Sequence, residues 1–361
     1  MGAVMSAFID VLRQHQQALC EHTSLNADVR YAIEALLACK MPTQHKMSWC
    51  CSHCHHHEQH PLSCGHRHCP QCQYQTTQQW LQRQRTKQLP CHYFMVTFTI
   101  PYEFRPLALS QPKALYQLMF NVMAQVIKGF THRNRQGMRG FTAVLHTHNR
   151  RRELHPHIHV ILPCGYYDKH RQHWHKGNQR FLFNHAALAK VWRAKLLDAI
   201  SHHPTLYLPA RYPQKWVVDC RNVGYGEHAY RYLARYLYRG VLPDSDIIKV
   251  TKTHVTFKYR DGQTQQTKTR TLPALKFLAL ILQHVLPKGL QRVRDYGFLH
   301  GNCKRDLHRI QALLLNINQM LTPPSEKTHN AIRLCPCCKG RMQCMGVILN
   351  KDRTTSPQGI T

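Results

Sequence analysis

The sequence is poor in carboxylates. Its 361 residues include 18 Asp and Glu against 49 Lys and Arg, which leaves a formal net charge of +31. So few acids, thinly spread, disfavour chemistry that needs several clustered carboxylates, such as a two-metal site built on an acid triad. The excess of cations is typical of a protein that binds a polyanion, and nucleic acid is the first candidate.

Long apolar runs are also missing. The longest apolar stretch, residues 277–286, is interrupted by Gln283 and His284 and is too short to cross a bilayer. Residues 1–9 show no basic start followed by an apolar run, so no signal peptide is expected. We therefore expect a cytoplasmic protein without a membrane partner. Its 16 cysteines are then more suited to metal binding than to disulfides.

The pattern of apolar residues predicts an α+β fold in several segments. Residues 1–44 read as helical, and residues 45–90 as a metal-binding module that ends in a basic helix. Residues 91–300 mix strands and helices at spacings too short for regular βαβ repeats, which favours an antiparallel or mixed sheet covered by helices. Residues 301–345 are expected to form a helix and a cysteine knuckle, and the tail 346–361 is expected to be disordered.

Sulfur and imidazole side chains replace aliphatic ones between residues 45 and 75. Cys51 and Cys54 form one CxxC knuckle, and Cys69 and Cys72 form a second. Each knuckle can direct two thiolates at one tetrahedral ion, so the two together predict a structural Zn²⁺ site. Cys64 lies between them and could replace one ligand or help to hold a second ion. Other candidates in this segment are His66 and His68 in the role of Cys64, and Cys50 in place of Cys51.

A weaker cysteine pattern lies near the C-terminus. Cys335 and Cys338 form one knuckle, with Cys337 inside it and Cys344 beyond it. A partner pair for this knuckle is not evident in the sequence. The pattern is equally compatible with zinc binding and with free thiols.

The strand predicted over residues 155–162 carries alternating histidines. Alternate side chains of a strand share a face, so His157 and His159 point the same way. Adjacent imidazoles repel each other once protonated and gain most by sharing a divalent cation, which predicts a metal site; the alternative is a polar sheet face. A third ligand is expected from the preceding strand, where we favour His146. The other candidates for that position are His148, His228, Glu153 and Glu227.

A predicted helix over residues 227–239 carries two tyrosines on one face. Tyr232 and Tyr236 are four residues apart, and an adjacent stripe of arginines has the same period of four residues. Cations neutralise a phosphate and a phenol can attack phosphorus, although a phenol with an ordinary pKa of about 10 needs assistance from a metal or a base. The alternative is an aromatic core stripe with exposed cations. The candidate DNA contacts are the stripe Arg231, Arg235 and Arg239, and the turn residues Arg150, Arg151 and Arg152.

Four motifs in this order resemble one known family. They are the cysteine-rich SCGHRHCPQCQ, the strand HPHIH, the helix YLARY and the later HVLPKGLQRVRDYGFL. Together they are similar to the rolling-circle insertion-sequence transposases of the two-tyrosine type, within the HUH endonuclease superfamily (His-hydrophobic-His). The resemblance extends from about residue 51 to residue 299.

The resemblance implies a specific chemistry. His157 and His159 would be ligands of a catalytic Mg²⁺ or Mn²⁺, and Tyr232 and Tyr236 would be paired nucleophiles. One tyrosine would cleave single-stranded DNA at an element end, keep the 5′ end as a phosphotyrosine and leave a free 3′-OH for rejoining to target DNA. Residues 91–300 would be the catalytic domain, with an HUH-type antiparallel sheet. The zinc module would help to read the element end, and the reaction would use the host replication machinery at the bacterial nucleoid.

Two other functions remain open at this level. The first is another HUH enzyme with the same chemistry, either a replication initiator or a conjugative relaxase. The second is a zinc-containing DNA-binding regulator without catalytic activity. The tyrosine pair separates the two classes, because a regulator has no use for it.

Overall fold

The computed structural model describes residues 6–41, 43–132, 137–238, 241–315 and 333–349; at Tyr74, Gln75, His132 and residues 235–238 it describes the backbone only. The helices are α1 (Ala7–His22), α2 (Ala27–Leu37), α3 (Tyr74–Lys87), α4 (Arg105–Ser110), α5 (Pro112–His132), α6 (His185–Ser201), α7 (Glu227–Tyr238), α8 (Ala274–Leu282) and α9 (Lys304–Leu314). The strands are β1 (Lys46–Cys51), β2 (His57–Pro61), β3 (Tyr93–Thr99), β4 (Phe141–His148), β5 (Leu154–Pro163), β6 (Gly165–Asp168), β7 (His173–Lys176), β8 (Val218–Asn222), β9 (Ile247–Val250), β10 (His254–Arg260), β11 (Thr267–Pro273), β12 (Val293–Tyr296) and β13 (Met342–Ile348).

The largest sheet in these ranges is antiparallel and has five strands in the order β12-β4-β5-β3-β8. The hairpin β4-β5 lies at its centre, and its register places His146 opposite His157 and Val144 opposite His159. On the other side of β5, Thr97 of β3 lies opposite His159. The register therefore brings residues of three neighbouring strands to one spot.

Alternation along the strands gives this sheet two different faces. Ile158 and Val160 of β5 are buried in a large core with α5 and α6. The opposite face carries the histidines of β5 and, beside them, a smaller core in which Val144 and Ile161 pack against α3 and α7. The sheet is thus covered by helices on both sides, and the histidines face the side of α7.

The N-terminal helices pack on a second sheet. Strands β9, β10 and β11 form a three-stranded antiparallel sheet. Its apolar residues join those of α1, α2 and α8 in one core, where Phe8 contacts Phe277 edge-on at 6.2 Å between ring centroids. Cys39 and Cys69 belong to the same core, so this layer reaches the cysteine-rich module.

A third sheet joins the two ends of the chain. Strand β1 pairs on one side with β2 and on the other with β13, both antiparallel. We call β1, β2, β13 and the cysteine turns at residues 51–54 and 335–338 the ribbon. Residues 301–345 therefore do not stand apart from the cysteine-rich module.

The α+β fold predicted from the sequence is confirmed, and one expectation, that of a disordered tail from residue 346, is corrected. The N-terminal segment predicted as helical contains two helices, because α2 begins after Asn26, whose side chain accepts from Val29 N at 2.9 Å. The tail expected to be disordered begins inside β13, which continues to Ile348 through its pairing with β1. The remainder of that tail, from residue 350, lies outside the described residues. In the second sheet, the hairpin of β10 and β11 carries an additional strand, β9.

Within the described ranges, no helix combines the length and the apolar character that crossing a membrane requires.

The core under the histidine strand depends on Trp192 of α6. Its ring is fully buried, contacts Phe98 at 5.2 Å and donates from Nε1 to the Thr99 carbonyl oxygen at 2.8 Å. We expect Trp192→Ala to lower the free energy of unfolding by about 3–5 kcal/mol, since it leaves a cavity and an unpaired carbonyl. Urea denaturation followed by circular dichroism measures the loss. Tyr207→Ala is the control, because that ring is 76% exposed; equal losses would contradict this view of the core.

Candidate functional site

Three imidazoles meet on the face of the central sheet that carries α7. His146, His157 and His159 each offer a ligand nitrogen, and these nitrogens lie within 4.8 Å of one another. The ring centroids are 4.6 Å apart for His146 and His159, 4.8 Å for His157 and His159, and 5.3 Å for His146 and His157. We call these three residues the histidine trio.

Hydrogen bonds orient two of the three rings. Thr97 Oγ1 lies 2.9 Å from His159 Nδ1, and the His157 Nδ1 donates to the His155 carbonyl oxygen at 2.7 Å. Both contacts leave Nε2 as the nitrogen directed at the trio. The Nε2 atom of His159 is buried and has no hydrogen-bond partner within the described part of the chain. A divalent cation shared by the trio satisfies this atom, so the residues fit a metal site.

The trio is held in its neutral form. Burial lowers the pKa of His157 to about 4, against the opposing effect of its hydrogen bond to His155. Burial, followed by repulsion from the other two imidazoles, holds the pKa of His146 well below its ordinary value. Burial and then the His157 charge act in the same direction on the pKa of His159. Neutral imidazole is the form that binds metal ions.

Tyr232 of α7 lies beside the trio. Its ring centroid is 6.0 Å from that of His159 and 6.4 Å from that of His146. The side chain is 40% exposed, so it reaches both the trio and solvent. Tyr236 belongs to the same helix, but its side chain lies outside the described residues.

Helix α7 is anchored by α3, the basic helix of the cysteine-rich module. Tyr230 is buried between Trp80 of α3 and Tyr93 of β3, with ring centroids 6.3 and 6.1 Å apart. At the edge of this contact Arg85 Nη2 binds Glu227 Oε1 at 2.6 Å. Tyr230 faces the core, and Tyr232, two residues further along, therefore faces away from it toward the trio.

A cleft of about 440 Å³ opens over Tyr232 and over His146 and His157 of the trio. Its polar lining includes groups of both the central sheet and the second sheet. The residues that line it are His146, His148, Asn149, Arg150, Arg152, His155, His157, Tyr232 and Arg260.

The arginines predicted as DNA contacts differ in availability. Arg150 is exposed in the cleft wall and donates to the Asp261 carbonyl oxygen and to Gln265. Arg151 is exposed over the ring of Tyr259. Arg152, in contrast, pairs with Asp246 at 3.1 Å, and its side chain is only 12% exposed. This arginine therefore makes a contact within the fold and is less available to bind a phosphate.

On α7, Arg231 is exposed and pairs with Glu227 at 2.7 Å. The side chain of Arg235 and the whole of Arg239 lie outside the described residues.

The other candidates for the third ligand lie elsewhere. His148 lines the cleft but contacts His284 edge-on, at 5.4 Å between ring centroids. Glu153 contacts Arg270. Glu227 forms ion pairs with Arg85 and Arg231. His228 is exposed and does not belong to the trio.

The two cysteine knuckles of the N-terminal module do not share one site, and the single-ion arrangement predicted from their spacing is wrong. Cys69 and Cys72 group with Cys64 and with Cys39. The Cys39 Sγ lies 3.5 Å from Cys69 Sγ and 3.4 Å from Cys72 Sγ. We call this group the first cysteine cluster. The two knuckles separate because β1 and β2 carry Cys51 and Cys54 into the ribbon, away from the end of α2 that supplies Cys39.

Cys51 and Cys54 group instead with the C-terminal knuckle. The second cysteine cluster consists of Cys51, Cys54, Cys335 and Cys338. Cys50 stays outside both clusters, with its Sγ 3.6 Å from His57 Nε2. His66 and His68 are also outside; His68 Nε2 accepts a hydrogen bond from Leu286 N at 3.1 Å.

Three residues of the candidate sites could not be predicted from the sequence. Cys39 stands alone at the end of a helix, and Thr97 is one of the two threonines of β3, so neither carries a spacing signal. Arg260 closes a hairpin that lies far along the chain from the histidine strand. Only the fold brings them to the clusters and to the cleft.

Comparison with known proteins gives the class of this protein. The family described as "Putative transposase" matches residues 140–306, which include the trio and α7. The family described as "Transposase zinc-binding domain" matches residues 11–100, which include the first cysteine cluster. The protein is therefore a transposase. Its two matched regions are similar to these two transposase families, as the resemblance in the sequence predicted.

Two curated relatives agree with this assignment. The chain is 28% identical over 389 aligned positions to "Putative transposase y4qJ" of Sinorhizobium fredii, with 96% of each chain covered. It is 26% identical over 296 positions to the "Transposase for insertion sequence element IS801" of Pseudomonas savastanoi pv. phaseolicola, with 74% of this chain and 68% of the relative covered. No solved structure matches the chain significantly.

The hydrogen bond between Thr97 and His159 offers a test of the trio as a cation site. We expect Thr97→Val to weaken Mn²⁺ binding about 10–100-fold, because a ligand imidazole that loses its orienting partner is a weaker ligand. Electron paramagnetic resonance of free Mn²⁺ measures the affinity. Thr99→Val is the matched control, since Thr99 lies on the same strand and face but donates to the Val217 carbonyl oxygen. Equal affinities in the two variants would show that Thr97 does not act through His159.

Proposed function

We propose that this transposase nicks and rejoins single-stranded DNA at insertion-sequence ends through a covalent link to Tyr232, in rolling-circle transposition. The observation that carries the proposal is the position of Tyr232, whose ring lies about one phosphate's width from two imidazoles of the trio. This juxtaposition joins residues 146, 159 and 232 from three separate elements. A DNA-binding regulator gains nothing from such an arrangement.

The chemistry proposed for Tyr232 is a transesterification. Its phenolic oxygen attacks the scissile phosphorus, the bond from phosphorus to the 3′ oxygen breaks, and that oxygen takes up a proton and leaves as a 3′-OH. The phenolic proton passes to solvent, and the 5′ end remains as a phosphotyrosine. Attack by a 3′-OH on this ester reverses the step, so strands are rejoined without an external energy source.

The trio would hold the catalytic cation, Mg²⁺ or Mn²⁺. When bound, such an ion polarises the phosphate and stabilises the charge that develops on its oxygens. His157 and His159 are oriented for this role by the His155 carbonyl oxygen and by Thr97, and His146 completes the trio. Burial of His146 and His159 keeps water from competing for their nitrogens.

Tyr236 is proposed as the second nucleophile. It follows Tyr232 on α7 by four residues, which is about one helical turn. A second tyrosine could accept a second strand before the first is released. The element end and the target DNA would then be held by one active site, with host replication replacing the displaced strand.

The DNA is proposed to lie along the cleft above Tyr232. Exposed Arg150 and Arg260 line this cleft, and the chain as a whole carries a net charge of +31. Phosphate contacts of this kind hold a single strand independently of its sequence and weaken with salt. The zinc module is proposed to contribute to reading the element end, with nucleoid DNA in the cytoplasm as the place of action.

Formation of a covalent adduct tests the nucleophile. We expect the protein to form a DNA adduct with single-stranded element-end oligonucleotides and Mn²⁺, detected as a shifted band in a denaturing gel. The double variant Tyr232→Phe, Tyr236→Phe should lose the adduct, because phenylalanine has no nucleophilic oxygen. Single variants then show which tyrosine attacks first.

The control for this experiment is Tyr225→Phe. Tyr225 is 63% exposed and precedes α7, where its ring contacts His92 instead of the trio. This variant should form the adduct at the wild-type level. An adduct that persists in the double variant would refute the tyrosine assignment.

The cleft arginine Arg260 tests the path of the DNA. We expect Arg260→Gln to weaken binding of a single-stranded oligonucleotide and to reduce the slope of log K against log salt by about 0.7, the contribution of one phosphate contact on a single strand. Fluorescence anisotropy at several salt concentrations measures both. Arg30→Gln on α2 is the control, since Arg30 is exposed but outside the cleft. An equal change in the two variants would mean that only net charge matters.

A further inference from the structure

We propose that the second cysteine cluster is a zinc site of its own, which binds the two ends of the chain together. Its ligands would be Cys51 and Cys54 from the N-terminal module and Cys335 and Cys338 from the C-terminal segment. Neither of the two matched families spans both pairs, since the matches end at residue 100 and at residue 306. The site would bind Zn²⁺ in addition to the ion of the first cluster.

The two knuckles have the same backbone geometry. Each CxxC turn is followed by a residue in the left-handed region, His55 at φ 55° and Lys339 at φ 60°. In each turn the amide of that residue donates to the carbonyl oxygen of the first cysteine, at 3.2 Å from His55 to Cys51 and 3.0 Å from Lys339 to Cys335. Two equivalent turns that face each other present four sulfur atoms to a common centre.

Backbone amides also point at the sulfur atoms. The amides of His53 and Cys54 donate to Cys51 Sγ at 3.4 and 3.5 Å, and Gly340 N donates to Cys338 Sγ at 3.4 Å. Such bonds favour the thiolate, which is the form that binds a metal. The lack of a side chain at Gly340 also leaves room for the sulfur atoms, because a Cβ there would lie 3.2 Å from Cys338 Sγ and 3.4 Å from Cys51 Sγ.

The sulfur atoms are spaced for one ion. Cys51 and Cys338 are 3.4 Å apart, Cys54 and Cys335 are 3.5 Å apart, and all four atoms lie within 4.8 Å of one another. Tetrahedral thiolate coordination at about 2.3 Å from the metal requires sulfur separations of about 3.8 Å. All sixteen cysteines, each within the described residues, are free thiols, so the four are not joined as disulfides.

The ribbon has too small a core to be stable without such an ion. Its buried cluster contains only Cys51, Cys335 and Met342, with Trp49 and Cys338 packed at its edge. Six of the seven residues of β13 are exposed. A small sheet of this kind takes its folding free energy from the metal, as in other small zinc modules.

The proposed ion would therefore link two segments that are far apart in the sequence. The sulfur contacts join residues 281 and 287 positions apart, and the whole catalytic domain lies between them. Strand β13 would then pair with β1 only when the ion is bound, so the N-terminal module would be complete only after the C-terminus has been made.

Zinc counting tests the proposal, and it needs neither DNA nor activity. The background is His157→Ala, His159→Ala, which removes the trio as a competing site. In this background the full chain should contain two Zn²⁺ by mass spectrometry of the metal. The added pair Cys335→Ser, Cys338→Ser should reduce the content to one, and Cys337→Ser should leave it at two, because Cys337 is exposed and belongs to neither cluster.

A second measurement avoids variants that fail to fold. The native wild-type protein is treated with iodoacetamide, and its peptides are mapped. Cys337 and Cys344 should be alkylated, whereas Cys51, Cys54, Cys335 and Cys338 should react only after chelation of zinc. A content of one Zn²⁺ in the background protein, or alkylation of Cys335 and Cys338 at the rate of Cys337, would overturn the proposal.

Discussion

The two-residue alternation of β5 is the constraint on which the site depends. Ile158 and Val160 enter the core with α5 and α6, and this burial compels His157 and His159 to face the other side. A register slip of one residue would bury the imidazoles in an apolar core and expose the aliphatic groups, which costs several kcal/mol. The same apolar packing that stabilises the sheet therefore fixes where the candidate metal ligands lie.

The parts of this site that are local in sequence could be predicted, and the parts that depend on distant pairing could not. The strands β4 and β5 follow from their patterns, and the hairpin between them places His146 beside the pair. The grouping of the cysteines did not follow, because the spacing of a knuckle specifies two ligands but says nothing about the other two. Cys39 and the C-terminal knuckle reach their clusters only through α2 and β13. The short strands β1, β2, β12 and β13 could not be predicted either, because they carry little apolar pattern.

A count of cations also overstates the surface that is open to DNA. Arg152 lies in a turn of three arginines, which in the sequence look equivalent, yet it is largely buried and pairs with Asp246. Arg85 and Arg231 both engage Glu227, so part of the basic character near α7 stabilises the helix contact. With so few acids in the chain, each carboxylate that forms an ion pair defines a structural contact, and the remaining cations are those available for phosphates.

The cysteine-rich module has a structural connection to Tyr232 that the sequence does not suggest. Cys72 of the first cluster is followed by Gln73, whose side chain donates to the His66 carbonyl oxygen at 2.7 Å and whose own carbonyl oxygen accepts from Thr77 N, at the start of α3. Helix α3 then packs on α7 through Trp80 and Tyr230. An ion in the first cluster would therefore order the beginning of the helix against which Tyr232 is positioned. The charge of the basic helix α3 suggests a DNA contact, but its packing makes it a support for α7. Only its exposed face is left for DNA.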